Sequence, residues 1–220
     1  KSADFLYETS PGPETAYTFK HALTHEVAYG SFPDDTRRAL HAKIAEAIER
    51  RYADRLAEHV ERLAHHAFRA EAWGKAFAYL RQAGAKAALR SSHREAVACF
   101  EQALVALEHL PESREALEHS IDLRFDLKTS LTPLGEHERI LGYLRVAETL
   151  AKALGDQSRL GRVSAYESDY FRLIGDAQRA IESGERALVI AKELRDSHLE
   201  VMANTYLGLV HFNQGDYRRA

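Results

Sequence analysis

The chain holds one cysteine, Cys99, among 220 residues, so no disulfide can form within it, and a reducing compartment, the cytoplasm, is expected. Cys99 lies between Ala98 and Phe100 in a helical pattern, where a buried, inert thiol is the expected reading. Prolines are five: Pro11, Pro13, Pro33, Pro111 and Pro133. Each falls at a pause in helical periodicity, as its missing N–H requires. No apolar run approaches the roughly 18 residues that a membrane span needs, and Lys1-Ser-Ala-Asp-Phe5 lacks the apolar stretch of a signal peptide. An excess of basic charge is also missing. Lys and Arg total 30 against 33 Asp and Glu, a net charge of -3, which argues against a dedicated nucleic-acid binder. Alternating β patterns are scarce, and residues 15–19, Thr-Ala-Tyr-Thr-Phe, after the Ser10-Pro-Gly-Pro13 turn, form the one convincing strand. An initiating Met is absent and the chain stops at Arg219-Ala220, a few residues into a repeat, so a piece of a longer protein is expected.

What the chain does have is a repeat. Gly135, Gly175 and Gly215 stand 40 residues apart and open similar phrases: Gly135-Glu-His-Glu-Arg-Ile140, Gly175-Asp-Ala-Gln-Arg-Ala180 and Gly215-Asp-Tyr-Arg-Arg-Ala220. The windows also agree at Ala147/Ala187, Ala151/Ala191, Lys152/Lys192, Leu154/Leu194, Asp156/Asp196 and Tyr166/Tyr206. Periods of this size mark stacked helical or strand units, and such arrays present extended binding surfaces. With 45% hydrophobic and 29% charged residues, rich in Ala, Leu, Glu, Arg and Lys, the chain reads as folded and helical. Periodicity places helices at about 20–30, 36–51, 54–70, 73–89, 93–109, 114–131, 137–154, 157–173, 177–194 and 197–213. Asp34 or Asp35, Ser91 or Ser92, Asp156 and Asp196 are the expected N-caps. The repeated glycines fit left-handed helix ends. Small residues (Ala76, Ala83, Ala96, Ala103, Ala147, Ala180, Ala187, Gly208) alternate with large ones (Leu80, Phe100, Leu144, Tyr206), so that helices can approach closely.

These phrases resemble the tetratricopeptide signature. Leu207-Gly208 with Gly215-Asp216 and Ala220 carries it, as do Gly175-Asp176, Ala180 and Ala187, with weaker matches at Leu63-Ala64, Ala76, Leu80, Ala83 and at Gly84, Ala96, Phe100, Ala103. The signature's proline is missing, and the period exceeds the usual length of about 34 residues. Upstream, Tyr17-Thr-Phe-Lys-His-Ala-Leu-Thr-His-Glu-Val-Ala-Tyr29, Arg37-Arg38-Ala-Leu-His41 and Ile44-Ala-Glu-Ala47 are similar to the end of the winged-helix-like region of large bacterial signalling ATPases, including those fused to class III adenylate/guanylate cyclases. In that family an ATPase core precedes this piece and tetratricopeptide-like repeats follow it. The resemblance implies a winged-helix-like remnant over 1–52 and an all-α helical-hairpin solenoid over 53–220, of roughly four to five helix pairs. No Gly-x4-Gly-Lys-Ser/Thr phosphate loop occurs, so ATP binding is not assigned to this chain.

Sites for chemistry are sparse. His21 and His25 sit four apart with Glu26 beside them, but the glutamate follows the second histidine, unlike a metalloprotease helix. His59, His65 and His66, spaced by six and seven, read as surface or interhelix histidines. No metal or cofactor is expected. No Gly-x-Ser-x-Gly elbow exists, and Cys99 and His93 point differently on one helix, so catalysis is not expected of this chain. On the 36–51 helix, Arg37, Arg38, Lys43, Arg50 and Arg51 are offset by nearby Asp34, Asp35, Glu46 and Glu49, leaving no basic stripe.

The expected role is a protein-interaction or sensor module of a signalling ATPase or cyclase. A DNA-linked transcriptional regulator and a self-associating scaffold are the alternatives. If the first helix of each pair lines a groove, Lys128, Arg162, Asp169, Arg172, Met202, Thr205 and Phe212 face it, a mixed lining suited to an acidic peptide or to other domains of the same chain.

Overall fold

A computed structural model describes residues 6–8 and 17–216. Strands β1 (Leu6–Glu8) and β2 (Tyr17–Phe19) pair antiparallel, with Tyr7 opposite Thr18. The expected strand at 15–19 thus holds over its last three residues, while the Ser10–Pro13 turn and Tyr217–Ala220 lie outside the described residues. Among the described residues ten α-helices follow: α1 (Ala22–Gly30), α2 (Asp34–Arg51), α3 (Val60–Arg69), α4 (Trp73–Leu89), α5 (His93–Glu108), α6 (Arg114–Leu131), α7 (His137–Leu154), α8 (Gln157–Leu173), α9 (Ala177–Leu194) and α10 (Ser197–Asn213). From α4 onward the bounds agree with the periodicity to within a residue. The expected helix at 54–70 differs. Its first half is a 3-10 segment, Ala53–His59, kinked at Arg55, with the Tyr52 and His59 rings 3.8 Å apart across the kink.

The architecture is an all-α, tetratricopeptide-like solenoid of helical hairpins. From α2 onward each helix packs against the next in sequence, and α4 also meets α6 and α8 meets α10, so the even-numbered helices form one layer. The interior follows the expected alternation of sizes. Ala76, Ala96, Ala103, Ala147, Ala180 and Ala187 are wholly buried, with Leu80, Phe100 and Leu144 filling the spaces they leave. Tyr206 and Gly208, expected among them, are half-buried. Each buried Leu or Phe contributes roughly 1.5–3 kcal/mol of hydrophobic stabilisation, and one continuous apolar cluster runs from Val60 on α3 to Val210 on α10.

Seven of the turns share one device. Glu71, Ser91, Gly135, Gly155, Gly175, Arg195 and Gly215 all have positive φ, and each is followed by a residue whose N–H bonds back to the carbonyl five residues earlier, as in Asp176 N–H to Phe171 O at 2.8 Å and Asp196 N–H to Ala191 O at 2.9 Å. This is the Schellman closure, which satisfies carbonyls that the helix end would orphan. The next helix then starts at once. Asp156, Asp176 and Asp196 each accept an N–H from three residues on, at 2.9, 3.1 and 3.0 Å. Two expected caps are corrected. Pro33 occupies the N-cap of α2, leaving Asp34 and Asp35 inside its first turn, and neither Ser91 nor Ser92 caps α5 through its side chain. Arg195 is exposed and sits at φ 54°, where a Cβ is strained. Arg195→Gly is expected to stabilise the protein by about 0.5–1 kcal/mol, read from the urea midpoint. An unchanged or lowered midpoint would show that the strain is absent.

Candidate functional site

Helices α6, α8 and α10 bring one row of charge and aromatic rings together. On α6, Phe125 is buried, and Arg162 of α8 lies over its ring with the guanidinium carbon 4.5 Å from the centroid. The Phe125 ring lies 5.2 Å from that of Tyr166, which lies 6.4 Å from that of Tyr206 on α10. The Lys128 ammonium sits 4.8 Å from the Tyr166 centroid and 5.3 Å from that of Tyr206, within the range of cation–π attraction. Its Nζ donates to Asp169 Oδ2 at 2.6 Å, and Arg172 donates Nε and Nη2 to Asp169 Oδ1 at 3.1 and 2.6 Å. One carboxylate therefore holds two cations with both oxygens engaged. Burial, reinforced by the Asp169 charge, pushes the Tyr206 hydroxyl above its ordinary pKa. Beside this row, Asp122 of α6 takes the Arg159 guanidinium of α8 in a two-pronged contact at 3.1 and 3.0 Å, the strong geometry for a charge pair.

The seven expected groove residues fall into two sets. Lys128 and Asp169 are 4% exposed. The expectation that they offer charge to a partner is corrected: they satisfy each other in the interior, because a buried ion without its partner is costly. Arg172 is drawn inward by the same carboxylate. Arg162 remains 36% exposed at its side chain, Met202 is half-buried, Thr205 is exposed with its hydroxyl donating to Val201 O, and Phe212 is 57% exposed. The reachable lining is therefore one cation and a polar-to-apolar strip on α10.

Two of the α2 cations are offset within the helix as expected, whereas Glu49 is taken by Lys75 of α4. Arg37 pairs with Asp34, and Arg38 with Asp35 and with Glu71 on the α3–α4 turn. The side chain of His25 lies outside the described residues. Cys99 is half-buried, and burial, with Glu95 and Glu61 nearby, pushes its thiol above the ordinary pKa, in keeping with an inert group.

The sequence singles out Tyr166, as core or contact, and Tyr206, as a packing residue, but not their meeting with Phe125 and Lys128, nor that of His41 on α2 with His65 and His66 on α3. A signal existed for the rings, since Tyr166 and Tyr206 repeat at 40 residues. None existed for the histidines, which come from different helices. Burial, then the neighbouring His65, His41 and Arg62 charges, lowers the His66 pKa to about 4, and burial lowers that of His41.

No family model matches the chain, and no curated protein matches it either. Solved structures do. The crystal structure of BtubC (BKLC) from P. vanneervenii superposes with a TM-score of 0.58 at 18% identity, covering 86% of this chain and 87% of that one. The apo form of RapI superposes with a TM-score of 0.59 at 12% identity, covering 89% of this chain, which spans 54% of the RapI chain. At these identities the likeness is one of fold, and it is to helical arrays of the kind built here. No helix among the described residues is long and apolar enough to cross a membrane.

Proposed function

We propose that the chain is a non-catalytic protein-interaction and sensor module, in which an occupant of the α6–α8–α10 layer changes the curvature of the array and so the activity of a linked ATPase or nucleotide cyclase. One observation carries the reading: three successive even-numbered helices are tied through a single carboxylate cage, Lys128–Asp169–Arg172 with Tyr166 and Tyr206. A ligand that moves any one of these helices must move the others, which is how a local contact becomes a change of state. Contact is made through Arg162, beside the row, and through Thr205 and Phe212 on the exposed face of α10, and a partner with acidic and aromatic side chains matches them. The linked enzyme rests on the resemblance of residues 17–47 to the junction of signalling ATPases, with the division at residue 52 taken from it.

The test starts from the coding sequence on either side. A phosphate loop upstream supports the regulatory reading, and a free-standing repeat protein overturns it. In the parent, Arg162→Glu with Phe212→Ala should change nucleotide turnover or its response to a partner. Unchanged turnover and unchanged partner binding would remove the row from the mechanism. A second reading, a self-associating scaffold, is favoured by Val201, Leu209 and Phe212, which are 65%, 40% and 57% exposed along α10. Light scattering over a concentration series decides it, since a mass that stays constant excludes self-association.

A further inference from the structure

We infer that His41, His65 and His66 form a zinc-binding site that clamps α2 onto α3. One ring nitrogen from each residue lies within 4.8 Å of the other two. His41 Nδ1 and His66 Nδ1 already stand 2.8 Å apart, sharing one hydrogen. Three imidazoles around Zn²⁺ at about 2.0–2.1 Å stand roughly 3.3 Å from one another in a tetrahedron. The His41–His66 pair therefore opens slightly when the ion replaces the shared proton. His65, exposed on the surface side of α3, swings in to complete the set.

Two further features fit an ion. Tyr29 Oη lies 2.9 Å from His41 Nε2. With Nδ1 on the metal, Nε2 carries the proton and donates it to that oxygen, fixing the tautomer and the ring plane as an outer partner of a metal-bound histidine does. A cavity of about 470 Å³, lined by the three histidines with Tyr29, Leu40, Ile44 and Arg69, opens onto the site. It leaves the fourth position of the ion to water or to a small ligand, as in three-histidine zinc centres. The donors are all nitrogen, which suits zinc over the oxygen-seeking Mg²⁺ and Ca²⁺. Arg69 on the cavity wall opposes a dication and moderates its affinity.

The test is calorimetric titration of the untagged chain with ZnCl₂ at pH 7.5, alongside the visible spectrum with Co²⁺. One saturable ion per chain is expected, with the intense absorption of four-coordinate cobalt. His65→Ala, at an exposed position that leaves the packing intact, should abolish binding. Tyr29→Phe should weaken it by about 10-fold, and Mg²⁺ should not compete. Folding of each variant is checked by circular dichroism. Failure of the natural chain to bind one zinc saturably, or undiminished binding by the folded His65→Ala variant, overturns the site.

Discussion

Replacing Asp169 with alanine should cost about 3–5 kcal/mol of stability, because it leaves the Lys128 ammonium in the interior with only two tyrosine faces to answer its charge. The opposite deletion should be milder. In Lys128→Met, Asp169 keeps its two contacts from Arg172, and the methionine stem fills the same space, so a loss of about 1–2 kcal/mol is expected. The double variant Lys128→Met with Asp169→Leu should recover part of the Asp169→Ala loss, since an apolar pair of similar volume removes the desolvation cost of both ions. Urea denaturation of the four proteins checks the order. Equal losses from the two single variants would mean that the pair is open to water and that the cage does not tie the even-numbered helices together.

Gly84 gives the second large effect, and its sign is the informative part. A Cβ built there lies 2.5 Å from Phe100 Cε1, 2.7 Å from Cδ1 and 2.9 Å from Cζ. Phe100 is 2% exposed and cannot rotate away. Alanine brings about 0.8–1 kcal/mol of helix propensity, but overpacking a tight core costs about 1–3 kcal/mol. Gly84→Ala should therefore destabilise by up to about 2 kcal/mol. Gly142, inside α7, has nothing within 4 Å of the same atom, so Gly142→Ala should stabilise by about 0.8–1 kcal/mol. Shrinking the ring with Phe100→Leu should reduce the penalty at Gly84, giving a coupling above about 0.5 kcal/mol in a double-mutant cycle. Additive behaviour, or a stabilising Gly84→Ala, would show that α4 and α5 can part at this point.

The helices were legible because their ends carry their own chemistry. At Gly135, Gly155 and Gly175 a residue suited to positive φ is followed by an acidic one, and helix bounds on either side come out to the residue. Where the left-handed position holds Glu71 or Ser91 the signal is weaker, yet Ala and Leu periodicity placed α4 all the same. The left-handed residues recur every 20 residues, at 71 and 91 and again from 135 to 215. Position 111, next in the first series, is proline, which cannot adopt positive φ. The register slips there by four residues, and the 40-residue series of left-handed glycines begins only at Gly135. The charged row was half legible. Helix register put Lys128 and Asp169 on the right layer, but composition alone assigns charged residues to the surface. Nothing within a window of one helix reveals a partner 41 residues away. The kink at Arg55 was missed for a similar reason, since the Tyr52–His59 stacking that accompanies it spans the break itself.

The 20-residue turn spacing has a consequence for how such a chain can grow. A segment that begins after one left-handed residue and ends on the one 40 positions later, such as 176–215, carries a complete pair of capped ends. Copied in tandem, it would present to its neighbours the same small and large faces that they already meet, because contacts run mainly to adjacent helices. Length in this protein is therefore an adjustable quantity, counted in whole hairpins. Between α3 and α10, the slip at Pro111 is the joint where an added pair would have to reconcile two registers.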